Sequence, residues 1–440
     1  MRVAIIGAGY VGLVTGVSVA RSGHEVTFIE RSDERRASLR DGRVPIFEPG
    51  LQEAFDEARE RIEVTHELDR DGRAELLLVA VGTPIGDDGT SDESQLSAAL
   101  EALRPYPMLD VSIRSTLSPE TSLRLPRLLD RPDGRRISTN PEFLRQGSAM
   151  EDFARPSRVV IGRFPETEPE HLAKIERLYE AVSAPRLVVD VSAAELIKNV
   201  ANAFLALKLS FVNEVASLSE EYGVDVGEVL AGIGLDPRIG TSYMRPGLGF
   251  GGSCLPKELE VLADAGRRQG LPMHIARAAA LVNGEQQERF ARRLLAEIGP
   301  EPARVGVLGL SFKLNTDDLR GSPAITVVRR LLTAGHRVVV HDPAVTPQHA
   351  AKAVSGIEWA GRAEDVFDGA DAVALVTDWP QFAELDLASL RPRMRRPLLY
   401  DGRNLLDPSA AAAAGLAYRG IGRPDAEPAV VLAGEGSPAA

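Results

Sequence analysis

The chain has 440 residues, 44% hydrophobic and 26% charged, the make-up of an ordinary globular protein of about two to four domains that needs no disulfide or metal staple. Its 51 Lys and Arg against 63 Asp and Glu leave a formal charge of −12, which argues against nucleic acid or an anionic membrane surface as the main partner. A single cysteine, Cys254, excludes an internal disulfide framework and a thiolate-rich zinc site, and no metal is expected.

The stretch from Met1 to Ala20 is mostly apolar, but Gly7, Gly9, Gly12 and Gly16 interrupt it and no cleavage site follows, so it does not read as a signal peptide. No other segment approaches the roughly 20 apolar residues of a membrane span, and a cytoplasmic location is expected. Val3 to Ile6 reads as a strand, Leu13 to Arg21 as a helix and Glu25 to Glu30 as a second strand, together a βαβ unit. Leu76 to Val81, Asp110 to Ser115 and Arg158 to Ile161 are further strand candidates. Helical stretches separate most of them, the pattern of a parallel sheet covered on both faces.

From about Ser192 the character changes. Leu196, Val200, Ala203, Phe204, Leu207, Phe211, Val215 and Leu218 recur at three- and four-residue spacing, which predicts one long helix over Ala193 to Tyr222. Helices are also expected at Lys257 to Gln269 and Ile275 to Ile298. The strand–helix–strand pattern then returns, with strands at Val305 to Leu310, Arg337 to His341, Asp371 to Thr377 and Pro397 to Tyr400, and a helix at Ala324 to Ala334. Ser22-Gly23-His24-Glu25-Val26 and Ala334-Gly335-His336-Arg337-Val338 each close a helix and open a strand that ends in an acid, Glu30 or Asp342. The second unit lacks the triple-glycine turn, so a related α/β domain with a different ligand is expected. The fold class is therefore α/β, two Rossmann-like doubly wound parallel-sheet domains joined by a central helical domain. The expected divisions are 1–190, 191–300 and 301–424, with a mobile tail at 425–440 rich in Ala, Gly, Pro and Glu.

Gly7-Ala8-Gly9-Tyr10-Val11-Gly12, between a strand and a helix, matches the dinucleotide fingerprint. Gly7 allows the tight turn, Gly9 lets a pyrophosphate approach the backbone, and Gly12 lets helix meet strand. Glu30 ends the next strand, where it would bond a ribose 2′-hydroxyl and repel a 2′-phosphate, favouring NAD over NADP. Leu248-Gly249-Phe250-Gly251-Gly252-Ser253-Cys254-Leu255-Pro256-Lys257-Glu258 is a glycine-rich loop leading into a helix, with Pro256 in its first turn. Cys254 just ahead of a helix sits where the macrodipole and free N–H groups favour a thiolate. The plain alternative is a buried cysteine in a structural turn, against which the glycine density speaks.

Together with Gly232-Ile233-Gly234-Leu235-Asp236-Pro237-Arg238-Ile239-Gly240, this loop resembles that of the UDP-glucose/GDP-mannose dehydrogenase family. The resemblance runs in order through Val81-Gly82-Thr83-Pro84, Ser115-Thr116, Pro141-Glu142-Phe143-Leu144-Arg145, Lys198 to Asn202, Phe312-Lys313, Asn315-Thr316-Asp317-Asp318-Leu319-Arg320 and Asp401-Gly402-Arg403-Asn404, nearly the whole chain. It implies that Cys254 is the nucleophile. Lys198 and Asn202, on one face of the long helix, would hold the reacting oxygen and a water. Glu142 would serve thioester hydrolysis and Thr116 would lie beside the nicotinamide. Tyr10, Val11, Arg35, Thr83 and Arg320 join the glycines and Glu30 near NAD. Glu142, Phe143, Leu144, Lys198, Asn202, Tyr243, Arg245, Phe250, Gly251, Phe312, Lys313 and Arg403 match substrate-binding positions, as does Arg238 from a neighbouring subunit. The chain departs from the family at Glu258, where Asp is usual, at Gln146, where Glu is common, and at Gly321, where Glu often follows the arginine.

The implied reaction turns an alcohol into a carboxylate and removes four electrons, so two NAD are consumed in turn. Thiolate addition to the aldehyde gives a thiohemiacetal, oxidation a thioester, and water releases the acid. Lys198 and Asn202 would stabilise the oxyanion, and Glu142 or Glu258 would move protons in hydrolysis. UDP-glucose is the first expected substrate, with TDP-glucose and GDP-mannose as alternatives, and a homodimer built through the long helix is expected. Two other readings compete: a two-electron hydroxyacid-type dehydrogenase, which needs no thiol, and a non-enzymatic sugar-nucleotide sensor, which needs no nucleophile. Individually, Lys198, Asn202 and Glu142 would read as a snorkelling lysine, a surface amide and a loop carboxylate.

Overall fold

A computed structural model describes residues 1–68, 74–84, 86 and 91–428. The chain divides into two compact units, Met1–Phe204 with Lys257–Arg277 and Leu205–Pro256 with Ala278–Ala440, so its helical middle is shared between them. Each unit is built on one α/β sheet.

The first unit holds eight strands: β1 Arg2–Ile6, β2 Glu25–Ile29, β3 Ile62–Thr65, β4 Leu76–Val79, β5 Val111–Ile113, β6 Ile137–Thr139, β7 Val159–Arg163 and β8 Arg186–Asp190, in the order β3-β2-β1-β4-β5-β6-β7-β8. Neighbours are parallel except β6 and β7, which pair antiparallel through Ser138 with Arg163 and Thr139 with Gly162. The central strands are apolar runs because both faces are covered. Val3, Ile5, Leu76 and Leu78 enter one apolar layer, while Ala4, Leu77 and Val79 enter the other. Beyond the antiparallel junction β7 stays buried, and the edge strand β8 is largely exposed.

The second unit holds β9 Arg304–Leu308, β10 Arg337–His341, β11 Glu358–Trp359, β12 Ala372–Leu375, β13 Leu398–Asp401 and β14 Ala417–Arg419, all parallel, in the order β11-β10-β9-β12-β13-β14. Its opening repeats that of the first. Gly7 and Gly309 both have φ +97°, and their N–H groups donate to Ile29 O at 2.9 Å and His341 O at 2.7 Å, the last residues of β2 and β10. The acids that follow differ in use. Among the described residues Glu30 accepts from Ala8 N and Ser32 N, both at 2.9 Å. Asp342 is saturated by the N–H groups of Leu310, Ser311, Ala344 and Val345, the Ser311 hydroxyl and the Trp379 indole.

The long helix spans Val191–Tyr222, opened by Asp190, whose carboxylate accepts from Ser192 N at 2.9 Å. Several of its spaced apolar residues face outward. Leu196, Val200, Phe204, Phe211 and Leu218 are exposed, whereas Ala194, Glu195, Lys198, Asn199, Ala203, Ala206, Ser210, Asn213 and Ala216 are buried. Helices Leu255–Arg268 and His274–Ile298 follow. Of the tail expected from 425, Ala426 bridges Tyr418 and Asp425 and Glu427 pair with Arg419, while 429–440 lie outside the described residues. No helix among the described residues is long and apolar enough to cross a membrane.

Candidate active site

In the first unit the expected residues gather at the carboxyl ends of the strands, on both sides of the switch between β1 and β4. β1 ends at Ile6, and the turn through Gly9 leads into helix Tyr10–Arg21. An added Cβ would lie 2.8 Å from Ala80 O at Gly7 and 1.9 Å from Gly7 O at Gly12, so neither position admits a side chain. At Gly9 it would meet only an Arg35 guanidinium nitrogen, 3.9 Å away. The turn thus presents open backbone at a helix N-terminus, with a buried carboxylate, Glu30, at the end of the next strand. That set fits a dinucleotide. Tyr10 and Val11, half-buried, form the first helical turn. The Tyr10 hydroxyl donates to Glu48 Oε2 at 2.5 Å, and burial and then the Glu48 carboxylate push its pKa far up. Glu48 also accepts from Gly147 N at 2.6 Å and Ala149 N at 2.7 Å, tying the nucleotide turn to the loop after Glu142.

Past β4, the Thr83 hydroxyl donates to the carbonyl of Thr116, past β5, at 3.0 Å and receives Lys257 Nζ at 2.7 Å. Past β6, Glu142 is buried. Its Oε2 accepts from Leu144 N at 2.5 Å and its Oε1 lies 3.3 Å from Lys198 Nζ. The Lys198 side chain is 3% exposed, and its ammonium stands 5.3 Å from the Phe143 ring centroid, with Arg158 stacked on the same ring at 3.8 Å. Asn202 is half-buried one turn further along the helix. Glu258, in the first turn of Leu255–Arg268, is 1% exposed and its Oε2 has no hydrogen-bond partner among the described residues. Burial drives its pKa up, Lys198 and Lys257 pull it down, and Glu142 adds to the rise. One buried ammonium and two buried carboxyl groups therefore form a compact proton-handling cluster.

In the second unit the Cys254 loop is held by its backbone. Phe250 N donates to Asn283 Oδ1 at 2.8 Å, Asn283 Nδ2 returns to Phe250 O at 3.0 Å, and Gly252 N donates to Arg320 O at 2.9 Å. A Cβ at Gly251 would lie 2.2 Å from Gly321 O, and one at Gly252 (φ +81°) 2.8 Å from the Phe312 ring. The loop presses on residues 312–321 as closely as bare backbone permits. Cys254 is exposed, immediately ahead of Leu255–Arg268, with Ser253 Oγ 3.8 Å from its sulfur. Arg320 is held protonated first by its hydrogen bond to Asp318 and then by the Asp318 and Cys254 charges. Lys313 Nζ is 5.7 Å from the Phe312 ring centroid. Arg403 spends its guanidinium on three carbonyls, Val376 O at 2.8 Å, Gly249 O at 3.1 Å and Phe312 O at 3.2 Å, so it rivets the loop. Arg238 lies at the surface in a bidentate pair with Asp236, Arg245 is exposed, and Tyr243 is half-buried at φ +59°.

Four buried or bonded residues around these groups were given no role by sequence: Glu48, Glu195, Asn199 and Lys257. Lysine scarcity points to one of them. Only six of the 51 basic residues are lysines, and three of those, Lys198, Lys257 and Lys313, stand here. In a chain that otherwise uses Arg, a retained Lys marks a place for a compact, titratable ammonium.

Three family descriptions match the chain in order: the UDP-glucose/GDP-mannose dehydrogenase NAD binding domain at residues 1–183, its central domain at 192–285 and its UDP binding domain at 306–408. A UDP-glucose 6-dehydrogenase of Pseudomonas aeruginosa is 39% identical, covering 97% of this chain and 98% of that one. One of Rhizobium meliloti is 37% identical, covering 97% and 100%. A solved UDP-glucose dehydrogenase of Pyrobaculum islandicum superposes with a TM-score of 0.87 at 37% identity, covering 96% of this chain and 98% of that one. An NAD-type glycine turn, a lone cysteine on a backbone-packed loop and a buried Lys–Glu cluster thus lie in a chain whose whole length follows one pattern: it belongs to the UDP-glucose/GDP-mannose dehydrogenase family and is an NAD-dependent oxidoreductase.

Proposed function

We propose that this chain oxidises the C6 hydroxyl of UDP-glucose to the carboxylate, with Cys254 as covalent nucleophile. The observation that carries the reading is the exposed Cys254 on a loop packed backbone to backbone, ahead of a helix N-terminus. The names of the relatives supply the sugar nucleotide. Residues 1–190 hold NAD through Gly7, Gly9, Gly12, Glu30, Arg35 and Thr83, 301–424 take the nucleotide, and 191–300 carry Lys198, Asn202 and Cys254.

NAD supplies the hydride acceptor for each of the two oxidations. Lys198, buried, holds the C6 oxygen with Asn202 while that oxygen's proton passes to the water held beside it. The Cys254 thiolate then adds to the aldehyde carbon, and the new oxyanion is held by Lys198. After the second oxidation the sugar is a thioester on Cys254. Water attacks it, Glu258 or Glu142 takes the water's proton, and the C–S bond breaks to return the thiolate and release the acid. The test is stoichiometry. About two NADH should form per UDP-glucose consumed, and Cys254→Ser should lose this turnover while still binding NAD. One NADH with free aldehyde as the final product would overturn the mechanism, and GDP-mannose winning a kcat/KM comparison would overturn the substrate.

The outward apolar side chains of Val191–Tyr222 support a homodimer, since a row of Leu196, Val200, Phe204, Phe211 and Leu218 left in water is the mark of a covered face. An exposed lone thiol suits a reducing cytoplasm.

A further inference from the structure

We propose that Glu195 is a positioning residue for this reaction: with Asn199 it clamps the Thr116–Leu117 segment to the helix that carries Lys198. Neither residue was assigned a role by the resemblance, and both are buried, Glu195 at 0% and Asn199 at 1% exposure. They stand one helical turn apart, with Lys198 between them in sequence. Glu195 Oε2 accepts from Leu117 N at 3.3 Å, and Asn199 Nδ2 donates to Leu117 O at 3.1 Å. The preceding carbonyl, Thr116 O, takes the Thr83 hydroxyl at 3.0 Å. Three side chains therefore fix two consecutive peptide units, and two of the three come from the Lys198 helix. On the reading above, Thr116 lies by the nicotinamide and Lys198 at the reacting oxygen, so the clamp sets the hydride acceptor and the oxyanion donor in one frame.

The carboxyl does this as a neutral acid. The groups facing it are the Leu117 amide, the Thr139 hydroxyl from β6, Glu258 from Leu255–Arg268 and Lys198 on its own helix, while Glu142 and Lys257 act on Glu258. Burial, the largest influence, raises its pKa to about 8; Thr139 and Leu117 N temper the rise, Glu258 adds to it and Lys198 opposes it. Its Oε1, like Glu258 Oε2, has no hydrogen-bond partner among the described residues. Near neutral pH the protonated Glu195 spares Glu258 a second buried negative charge. Above about pH 8 that charge appears and disturbs the cluster.

The proposal rests on the function above, so its test has one readout that needs no activity. Glu195→Ala, Glu195→Gln and Asn199→Ala are compared as full chains by amide exchange over residues 114–118 and by NADH formation from UDP-glucose between about pH 6 and about pH 9.5. Exchange should quicken in Glu195→Ala and Asn199→Ala and stay slow in Glu195→Gln, whose amide oxygen still accepts from Leu117. The kcat of the two alanine variants should fall roughly 10- to 100-fold at neutral pH, with smaller changes in KM. Glu195→Gln should hold kcat within about twofold of the unaltered chain and lose the alkaline decline that the unaltered chain shows near pH 8. Unchanged exchange in both alanine variants overturns the clamp whether or not the chain turns over. Glu195→Gln as impaired as Glu195→Ala, or keeping the alkaline decline, overturns the neutral-acid role. An unaltered chain that makes no NADH from UDP-glucose counts against the functional reading alone. Should Glu195→Ala fail to fold, Asn199→Ala and Glu195→Gln still decide the matter.

Discussion

Single side chains decide the chemistry, and Glu258 is one of them. It reaches one methylene further than an aspartate would, yet stays inside the protein with two lysines in its field and an oxygen that has no hydrogen-bond partner among the described residues. A buried carboxyl whose pKa is raised by burial and drawn back by Lys198 is suited to take a proton from water and pass it on. Glu258→Gln should therefore slow release of the acid and leave a sugar thioester on Cys254, read as a mass increase of the intact chain. An unchanged rate would hand the proton transfer to Glu142. Cys254, Lys198, Asn202 and Glu142 were legible because they sit in ordered motifs whose joint occurrence is specific. Glu195, Asn199 and Glu48 were not, because their roles come from burial and from bonds to distant backbone, and a lone Glu on a helix reads as solvated surface.

At the scale of elements, the strongly periodic segments were legible and the short ones were not. β1, β2, β9 and β10 fell within a residue or two of their expected places, as did the helix Pro323–Thr333, while Tyr10–Arg21 begins three residues before its expected start. β3, β6, β8, β11 and β14 went unseen: apart from β8 they are two to four residues long, β3, β8, β11 and β14 lie at sheet edges, and such strands form through pairing more than through composition. The long helix teaches the opposite lesson. Its extent was legible and its facing was not, since Leu196, Val200, Phe204, Phe211 and Leu218 point outward while mostly small and polar residues point inward. Amphipathicity marks two faces and does not say which of them meets the chain's own core. The Cys254 loop belongs to this scale as well, because its geometry depends on missing side chains. Gly251→Ala would push a methyl group against Gly321 O, a strain of about 1–3 kcal/mol. The protein should keep its circular dichroism spectrum and lose most of its turnover, by roughly 100-fold. Activity near that of the unaltered chain would show that the loop tolerates displacement.

For the whole molecule, two α/β sheets and a helical middle follow from the alternation of elements and needed no knowledge of contacts. Assembly is a different matter. If the outward face of Val191–Tyr222 meets a second copy, Phe211→Asp should place a charge on that face and shift sedimentation from dimer to monomer. A dimer that survives the substitution would put the interface elsewhere.

The repeated opening of the two sheets has a further consequence. Gly7 and Gly309 start from the same backbone shape, but only the first turn leads to an acid with oxygen capacity left over; Asp342 has none to give. A chain built this way offers one dinucleotide crevice, and calorimetric titration with NAD should return about one site per chain. Yet the proposed reaction removes four electrons from one sugar, two at a time. The carrier must be changed halfway through a single conversion, with the half-oxidised sugar waiting through one departure and one arrival. The ratio of fresh to spent carrier in the surroundings then governs how often a conversion that has begun is completed. A thiol that grips the aldehyde during the wait keeps a reactive intermediate from drifting away.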